Sequence, residues 1–331
     1  MSAGPGPLAP LPDRVVRDPV LLAFADEVGG VDAGPVAVEG GRTQWELGGR
    51  SEPGTRLVRA PAGVVAFEPA EMTIQVRAGT TLDELDAALE PAGQRVALQG
   101  LPRAATVGGV LCVGLSGPTR LGHGHIRETL LQTRYVSSEG LLVTAGGPTV
   151  KNVTGFDLCR VLVGSYGTLG LLAEVTLRTR PRPQATAWLA GPADPADLFD
   201  RLYRPMSLLW DGETVWLHLE GYPEDVAVQT AIALEAGLQP MAGPPPLPTG
   251  RHSVEPGVLR RFRPDRAQRS GFVAEFGVGV VHGEWPGPTQ GTPDASVVTL
   301  NRRLKQLFDP TGRLNPGRDP LAPSNGKADH R

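Results

Sequence analysis

The sequence predicts an α+β protein: a first half of short strands and glycine-rich turns, followed by a smaller strand-and-helix half. Three observations carry the prediction. From Pro35 to Arg180, β-prone runs alternate with glycine loops. A fully signalled helix interrupts them at Thr81–Leu89, and Pro181 and Pro183 punctuate the chain before a second, weaker pattern begins. With 43 glycines and 33 prolines among 331 residues, much of the chain must turn tightly.

Val36 to Val38 is the first strand candidate, broken by Glu39-Gly40-Gly41-Arg42-Thr43. Leu57–Ala60 and Thr73–Val76 follow, the latter in mostly β-prone residues. After Ala78-Gly79-Thr80, Thr81 is placed as an N-cap with Glu84 as its capping-box partner. Leu82, Leu85, Ala88 and Leu89 form the apolar stripe, and Pro91 and Gly93 end it. A long glycine segment, Gly100–Gly124, contains a short helix at Val107–Val113. Strands at Leu131–Val136 and Leu141–Thr144 are joined by the turn Ser137-Ser138-Glu139-Gly140. Phe156–Val163 reads as a helix closed by Gly164, and Leu169–Arg178 as a strand with Leu171, Ala173, Val175 and Leu177 on one side. Beyond it, Trp188–Ala190, Val215–Leu219 and Val278–Val281 read as strands, and Pro195–Leu202 and Ala227–Ala236 as helices. Pro240–Thr249 is a loop, and Asn301–Phe308 a short final helix whose Leu304, Leu307 and Phe308 are explained by packing.

Composition excludes several function classes. A net charge of -3 gives no basic footprint for nucleic acid. No apolar run approaches the ~20 residues of a membrane helix. Met1–Pro12 has neither a basic cluster nor an apolar h-region, so no signal peptide is expected and a cytoplasmic protein is the default. Cys112 and Cys159, each among apolar neighbours, are expected to be reduced and structural, and two cysteines alone build no metal site.

Binding a pyrophosphate requires several backbone N–H groups aimed at one point, with no side chain in the way. Three segments meet that need in order: Gly40-Gly41-Arg42-Thr43 after a strand, Thr106-Val107-Gly108-Gly109 with Gly114-Leu115-Ser116-Gly117 behind it, and Gly164-Ser165-Tyr166-Gly167-Thr168-Leu169-Gly170. Each is weak alone; their order and spacing are far more specific.

These segments, with Gly79-Thr80-Thr81-Leu82-Asp83-Glu84-Leu85 and the terminal Phe308-Asp309-Pro310…Asn315-Pro316-Gly317-Arg318, resemble the PCMH-type FAD-binding domain of the vanillyl-alcohol oxidase superfamily. Gly114–Arg120 and Lys151–Leu158 resemble segments of the FAD-binding small subunit of bacterial glycolate oxidases. The likeness covers residues 35–185 and 300–318 and is thin between 190 and 300. It implies two αβ subdomains clamping FAD (1–183), a shortened α/β cap (184–300), a C-terminal segment returning to the flavin (301–320) and a disordered tail (321–331). It also implies cofactor contacts: Gly40, Gly41, Arg42 and Thr43 at the pyrophosphate; Thr106, Gly108, Gly109 and Ser116 on the ribityl and ring side; Gly164, Ser165, Gly167, Thr168 and Gly170 over the adenosine diphosphate half; and Asn315 from the C-terminus. Arg42 stands where several relatives carry a flavin-linking His, so FAD is expected to be non-covalent.

By the same resemblance, the expected function is the FAD-binding subunit of a glycolate oxidase-like 2-hydroxy acid dehydrogenase. Its partners would be a larger FAD-containing catalytic subunit and an iron–sulfur subunit, with any membrane contact made peripherally through them. An electron-transfer or scaffold flavoprotein, and a stand-alone sugar-acid or lactone oxidase, remain open. No catalytic base stands out. Lys151 would place a positive charge near an acid substrate, or merely order a turn with Asp157; His282 would be a base near the flavin, or a packed residue. His123 and His125, two apart, would share a face on a strand, but no third metal ligand is evident. Gly277–Gly283 imitates a dinucleotide fingerprint, yet Glu284-Trp285-Pro286 follows and cannot open the required helix, so a strand is expected there.

Overall fold

Leu171–Arg178 organises the first half. Every residue from Leu171 to Leu177 is buried, so the strand is central and covered on both faces rather than apolar on one side as its alternation suggested. The computed structural model describes residues 18–98, 100–147, 158–265, 271–287 and 293–322. Around the central strand, an antiparallel sheet runs in the order Val64–Glu68, Thr73–Arg77, Leu171–Arg178, Leu130–Val136, Leu142–Gly146. Helices Leu82–Leu89 and Val107–Val113 pack against it through Leu82, Leu85, Leu89, Val107 and Val110. The expected capping box is present: Glu84 N donates to Thr81 Oγ1, and Thr81 N to Glu84 Oε2 at 2.8 Å.

A second apolar cluster joins Leu171, Ala173 and Val136 to a helix absent from the sequence reading, Pro19–Val28. Asp18 caps that helix and also pairs with Arg77 at 2.5 Å. Arg77 and Arg134, opposite Glu174 on the two neighbouring strands, both pair with its buried carboxylate, at 2.7 and 2.6 Å. A polar network thus ties the first helix to the sheet centre.

The short strand Val36–Val38 pairs in parallel with Arg56–Val58, and Leu314 bridges to Val36 in parallel on its other side. The second half, expected to be the smaller, carries the larger sheet. Its seven antiparallel strands run Gln239–Met241, Ala185–Gly191, Val215–Gly221, Ser207–Trp210, Phe272–Glu275, Val280–Gly283, Arg251–Ser253. One face buries Leu208, Trp210, Leu217, Leu219, Phe272, Ala274 and Val281 against helices Pro195–Arg201, Pro223–Glu235 and Pro256–Arg261. Gly277–Gly279 is the turn of a hairpin, with Gly277 and Gly279 both at positive φ, so the segment is no dinucleotide loop. The last helix, Ala295–Phe308, is longer than expected, and Leu307 is 77% exposed; packing accounts for Leu304 and Phe308 but not for Leu307.

Candidate functional site

A cavity of about 410 Å³ opens in the first half, within the size range of small-molecule sites. Its walls come from Val38–Leu47, Arg59–Ala62, Ala78–Thr81, Ala104–Val113, Tyr166–Leu172 and the C-terminal Asn315 and Arg318. Much of that wall is main chain. A Cβ added to Gly41 would run into Ala104 O, and one on Gly40 into Thr106 Oγ1; one on Gly108 would lie 2.8 Å from Ala78 Cβ. The N–H groups of Gly40, Gly41, Arg42 and Thr43 donate to no group among the described residues. Four successive amides without partners among the described residues, in a segment that lines the cavity, could serve as an anion-binding concavity. Val113, Leu171, Leu172 and the Trp45 ring supply apolar wall.

The C-terminal segment holds this wall in place. Asp309, 2% exposed, accepts from Arg313 N and Leu314 N, and pairs with Lys305 at 2.6 Å. The Arg313 guanidinium donates to the carbonyls of Val28, Gly29, Gly34 and Ser138. Asn315, at φ 44°, donates from its N–H to Val36 O and from Nδ2 to Tyr166 O. Arg318 donates to the carbonyls of Trp45, Leu47 and Gly49, and its guanidinium lies 4.8 Å from the Trp45 ring centroid. This Asp–Arg–Asn–Arg series ties the Gly40–Leu47 wall to the core.

The face of the seven-stranded sheet opposite the helices is mixed, with Ser207, His218, Glu220, Arg251, Glu275 and His282 among Trp188, Leu209, Trp216, Val273 and Val280. Strand register puts Arg251 beside His282, and Glu275 on the same face two residues from His282's other partner, Val273. His282 Nε2 lies 2.7 Å from Glu275 Oε1, while Glu275, 2% exposed, has no partner for Oε2. Arg251 is close enough to Tyr166 to oppose the burial that raises the pKa of this cavity-lining phenol. Burial lowers the pKa of Arg251 itself, and Arg120 nearby lowers it further while Glu275 opposes. The same face therefore brings Arg251, His282 and Glu275 together, with Arg251 acting electrostatically on Tyr166 of the cavity wall.

Residues 31–146 match a family described as an FAD binding domain. Residues 31–146 form an FAD-binding domain. The chain is 35% identical over 199 residues to glycolate oxidase subunit GlcE of Escherichia coli K12, covering 57% of each chain. It is 31% identical over 173 residues to a D-lactate dehydrogenase of Archaeoglobus fulgidus, covering 52% of this chain and 38% of that one. The chain thus spans 57% of the first of these relatives and 38% of the second. A solved alkyldihydroxyacetonephosphate synthase shares the fold at TM-score 0.66 and 14% identity, over 89% of this chain and 75% of that one. The PCMH-type resemblance and the α+β fold expected from it are borne out.

The walls fit FAD: the free amides of Gly40–Thr43 would hold the diphosphate, and the glycine main chain would admit the cofactor closely. Gly40, Gly41, Arg42, Thr43, Thr106, Gly108, Gly109, Gly167 and Asn315 all line the cavity of the FAD-binding domain. Arg42, at φ 54°, pairs with Glu39 at 2.6 Å and lies 5.4 Å from the Trp45 ring centroid, both partners also lining the cavity. Ser116 instead accepts from Ile126 N, and Gly170 is packed so that a Cβ would meet the Tyr135 ring. Gly164, Ser165 and Thr168 line a second cavity against the last helix, and the Ser165 and Thr168 hydroxyls donate to backbone carbonyls. Lys151 and Asp157 lie outside the described residues. His123 ends the short helix Arg120–His123 and His125 caps the next turn, so they do not share a strand face. No metal-binding His/Cys/Asp/Glu group occurs among the described residues, and neither cysteine forms a disulfide there. His282 was a candidate base from the sequence, but its partner Glu275, with Arg251, Asp309, Arg313 and Arg318, was missed as a site or support residue. Only the Phe-Asp-Pro…Asn-Pro-Gly-Arg motif gave any signal for the last three.

Proposed function

We propose that the protein is an FAD-dependent oxidoreductase of 2-hydroxy acids, working as the FAD-binding subunit of a glycolate oxidase-like assembly. Similarity to proteins named for glycolate and D-lactate oxidation supports this reading. The structural observation that carries it is the Arg251–His282–Glu275 cluster on the sheet face beside the cavity. Bound FAD supplies the two-electron acceptor that this chemistry requires. The chain's part is binding, orientation and proton handling. Arg251 and Arg120 attract the substrate carboxylate. Glu275 fixes the His282 ring through Nε2, leaving Nδ1, which has no partner among the described residues, to take the hydroxyl proton. We call the seven-stranded sheet and its helices the cap, and this face its roof.

The reading extends to partners: a larger FAD-containing subunit and an iron–sulfur subunit would carry electrons onward, and FAD is held non-covalently because Arg42 offers no linking nucleophile. A subunit name among the relatives supports an assembly. No helix among the described residues is long and apolar enough to cross a membrane, and we place any membrane contact in the partners of a cytoplasmic subunit.

The test is anaerobic mixing of the purified, FAD-loaded protein with glycolate or D-lactate, read at the flavin absorbance. Bleaching by either acid supports the reading. Silence that ends on adding the partner subunits assigns the chain to electron transfer or scaffolding instead, and silence with 2-hydroxy acids but bleaching by aldonolactones assigns it to lactone oxidation. Acid precipitation should release all FAD to the supernatant; yellow protein in the pellet refutes non-covalent binding.

A further inference from the structure

The chain passes from the FAD-binding unit to the cap through Thr179–Gln184, which contains Pro181 and Pro183. Its main chain is tied to the FAD-binding unit by Thr179 N to Met72 O, the Arg180–Pro181 pairing and Arg182 N to Gly93 O, and to the cap by Gln184 N to Gly221 O. Beside this crossing lies a buried polar cluster drawn from both units. Arg95, on the Gln94–Arg95 strand that pairs with Arg180–Pro181, reaches across to Glu220 of the cap with both guanidinium nitrogens, at 3.0 and 2.5 Å. The two side chains are 13% and 9% exposed. His123 Nε2 approaches the same carboxylate at 3.9 Å, and His218 Nε2 at 3.4 Å. Burial pushes His123 down to about 4 and lowers His218 as well, so near neutral pH both rings are uncharged and Arg95 provides the full charge paired with Glu220.

The cluster is poorly built for stability alone. Arg95 Nε, His123 Nε2 and His218 Nδ1 are buried without hydrogen-bond partners. Apolar replacement of such an under-satisfied ion pair is commonly neutral or stabilising, whereas an ion pair fixes one relative placement of its two elements. Its placement reaches the site. His123 ends the helix Arg120–His123, whose Leu121 packs into the cap core and whose Gly122 N donates to Met206 O. The first residue of that helix is Arg120, which lies near Arg251 on the roof. Glu220 itself projects from the roof face, in register with Thr186 and two residues along from His218.

We propose that Glu220 is a positioning residue: with Arg95 and His123 it clamps the cap against the FAD-binding unit across a proline hinge, and so sets where Arg120, Arg251 and His282 stand over the cavity. The kinetic part of this inference rests on the proposed function; the clamp itself does not.

Two variants test it, each as the full, FAD-loaded chain. Glu220→Gln keeps the shape and removes the charge. Arg95→Met/Glu220→Leu replaces the pair with apolar groups. In both, FAD per chain is expected to stay at the wild-type value, because Glu220 and Arg95 do not line the cavity. Amide exchange at Arg182 and Gln184 is expected to quicken tenfold or more in both variants, with the Leu171–Arg178 amides unchanged. KM for the hydroxy acid should rise about tenfold with a smaller change in kcat, and should stay raised in the apolar pair even though its Tm returns to near the wild-type value. Wild-type exchange at Arg182 and Gln184 in the apolar pair overturns the clamp. Clamped exchange in the wild type, lost in the variants, upholds it even where no 2-hydroxy acid bleaches the flavin, an outcome that sinks only the substrate reading.

Discussion

Arg318→Ala should weaken FAD binding without unfolding the protein. The side chain donates to the carbonyls of Trp45, Leu47 and Gly49 and stacks on the Trp45 ring, while touching the FAD-binding wall from outside the residues that match the FAD domain. Hydrogen bonds to a charged donor contribute about 1.5–3 kcal/mol each when buried. Arg318 is only half-buried, so about 1 kcal/mol for each of three bonds is a ceiling, and the ring contact adds up to ~1 kcal/mol at an exposed site. Allowing for water taking over part of the lost bonding, the wall loses about 2–3 kcal/mol of ordering. If FAD must then restore that order on binding, its Kd rises about 30- to 150-fold, at 1.4 kcal/mol per factor of ten. Titration of the apoprotein with FAD, followed by flavin fluorescence, measures this directly. Arg318→Lys, with one point donor in place of a fork, should fall between the two. A Kd for Arg318→Ala within threefold of wild type would show that the Gly40–Leu47 wall stands unaided and would refute the reasoning.

Glu174→Ala should cost about 3–5 kcal/mol and depress Tm by several degrees, because it leaves the Arg77 and Arg134 guanidinium groups facing a buried void; an unchanged calorimetric Tm contradicts the network. Asp18→Asn should lower stability at pH 7 by removing a carboxylate held below its usual pKa by Arg77. A depressed pKa adds stability above the unfolded value near 3.9, lost as pH falls through the folded one, so the two proteins should converge in acid; a gap that persists at pH 2 counts against this pair. Desolvation in the cavity wall pushes the half-buried Cys112 thiol up to about 12, so alkylation by iodoacetamide at pH 8 should run on the order of a thousandfold slower than for a free thiol, and mass spectrometry showing rapid labelling of Cys112 refutes that shift. His282→Gln should keep full FAD loading yet slow anaerobic flavin reduction about 10²- to 10⁴-fold; reduction at the wild-type rate removes His282 from proton transfer.

The legible parts of the molecule were those whose signal is local. The capping box at Thr81 and Glu84 lies within one helical turn, and Gly40-Gly41 and Gly108-Gly109 sit where main chain must approach main chain. Motif residues could not be separated by type: Ser116 and Gly170 read like Thr106 and Gly109, yet one caps a turn and the other makes room for Tyr135. The Arg313 bonds span 175 to 285 residues of sequence, which no local pattern encodes. The roof was illegible for a different reason. Ser207–Trp210 and Phe272–Glu275 are buried on both faces, so they show no alternation, and the Glu275–His282 pair exists only because a hairpin sets the two strands in register.

That difference also explains why binding and chemistry are carried by different materials. A diphosphate needs a dense array of N–H dipoles at fixed positions, and backbone held by packed glycines provides it without side-chain entropy to lose. A proton acceptor must change charge during turnover, so it needs a side chain whose orientation is set by a neighbour, as Glu275 sets His282. In the proposed function, the first requirement would be met by loops of one unit, Gly40–Thr43 and Thr106–Gly109, and the second by strands of the other. On this reading activity depends on how the two units are registered; the Arg95–Glu220 pair at the crossing spans them, while Arg318 orders the wall within the first unit, and neither touches the His282 ring. Substitutions there should therefore separate cofactor affinity from turnover more cleanly than substitutions in the glycine loops, where every added Cβ disturbs the wall itself.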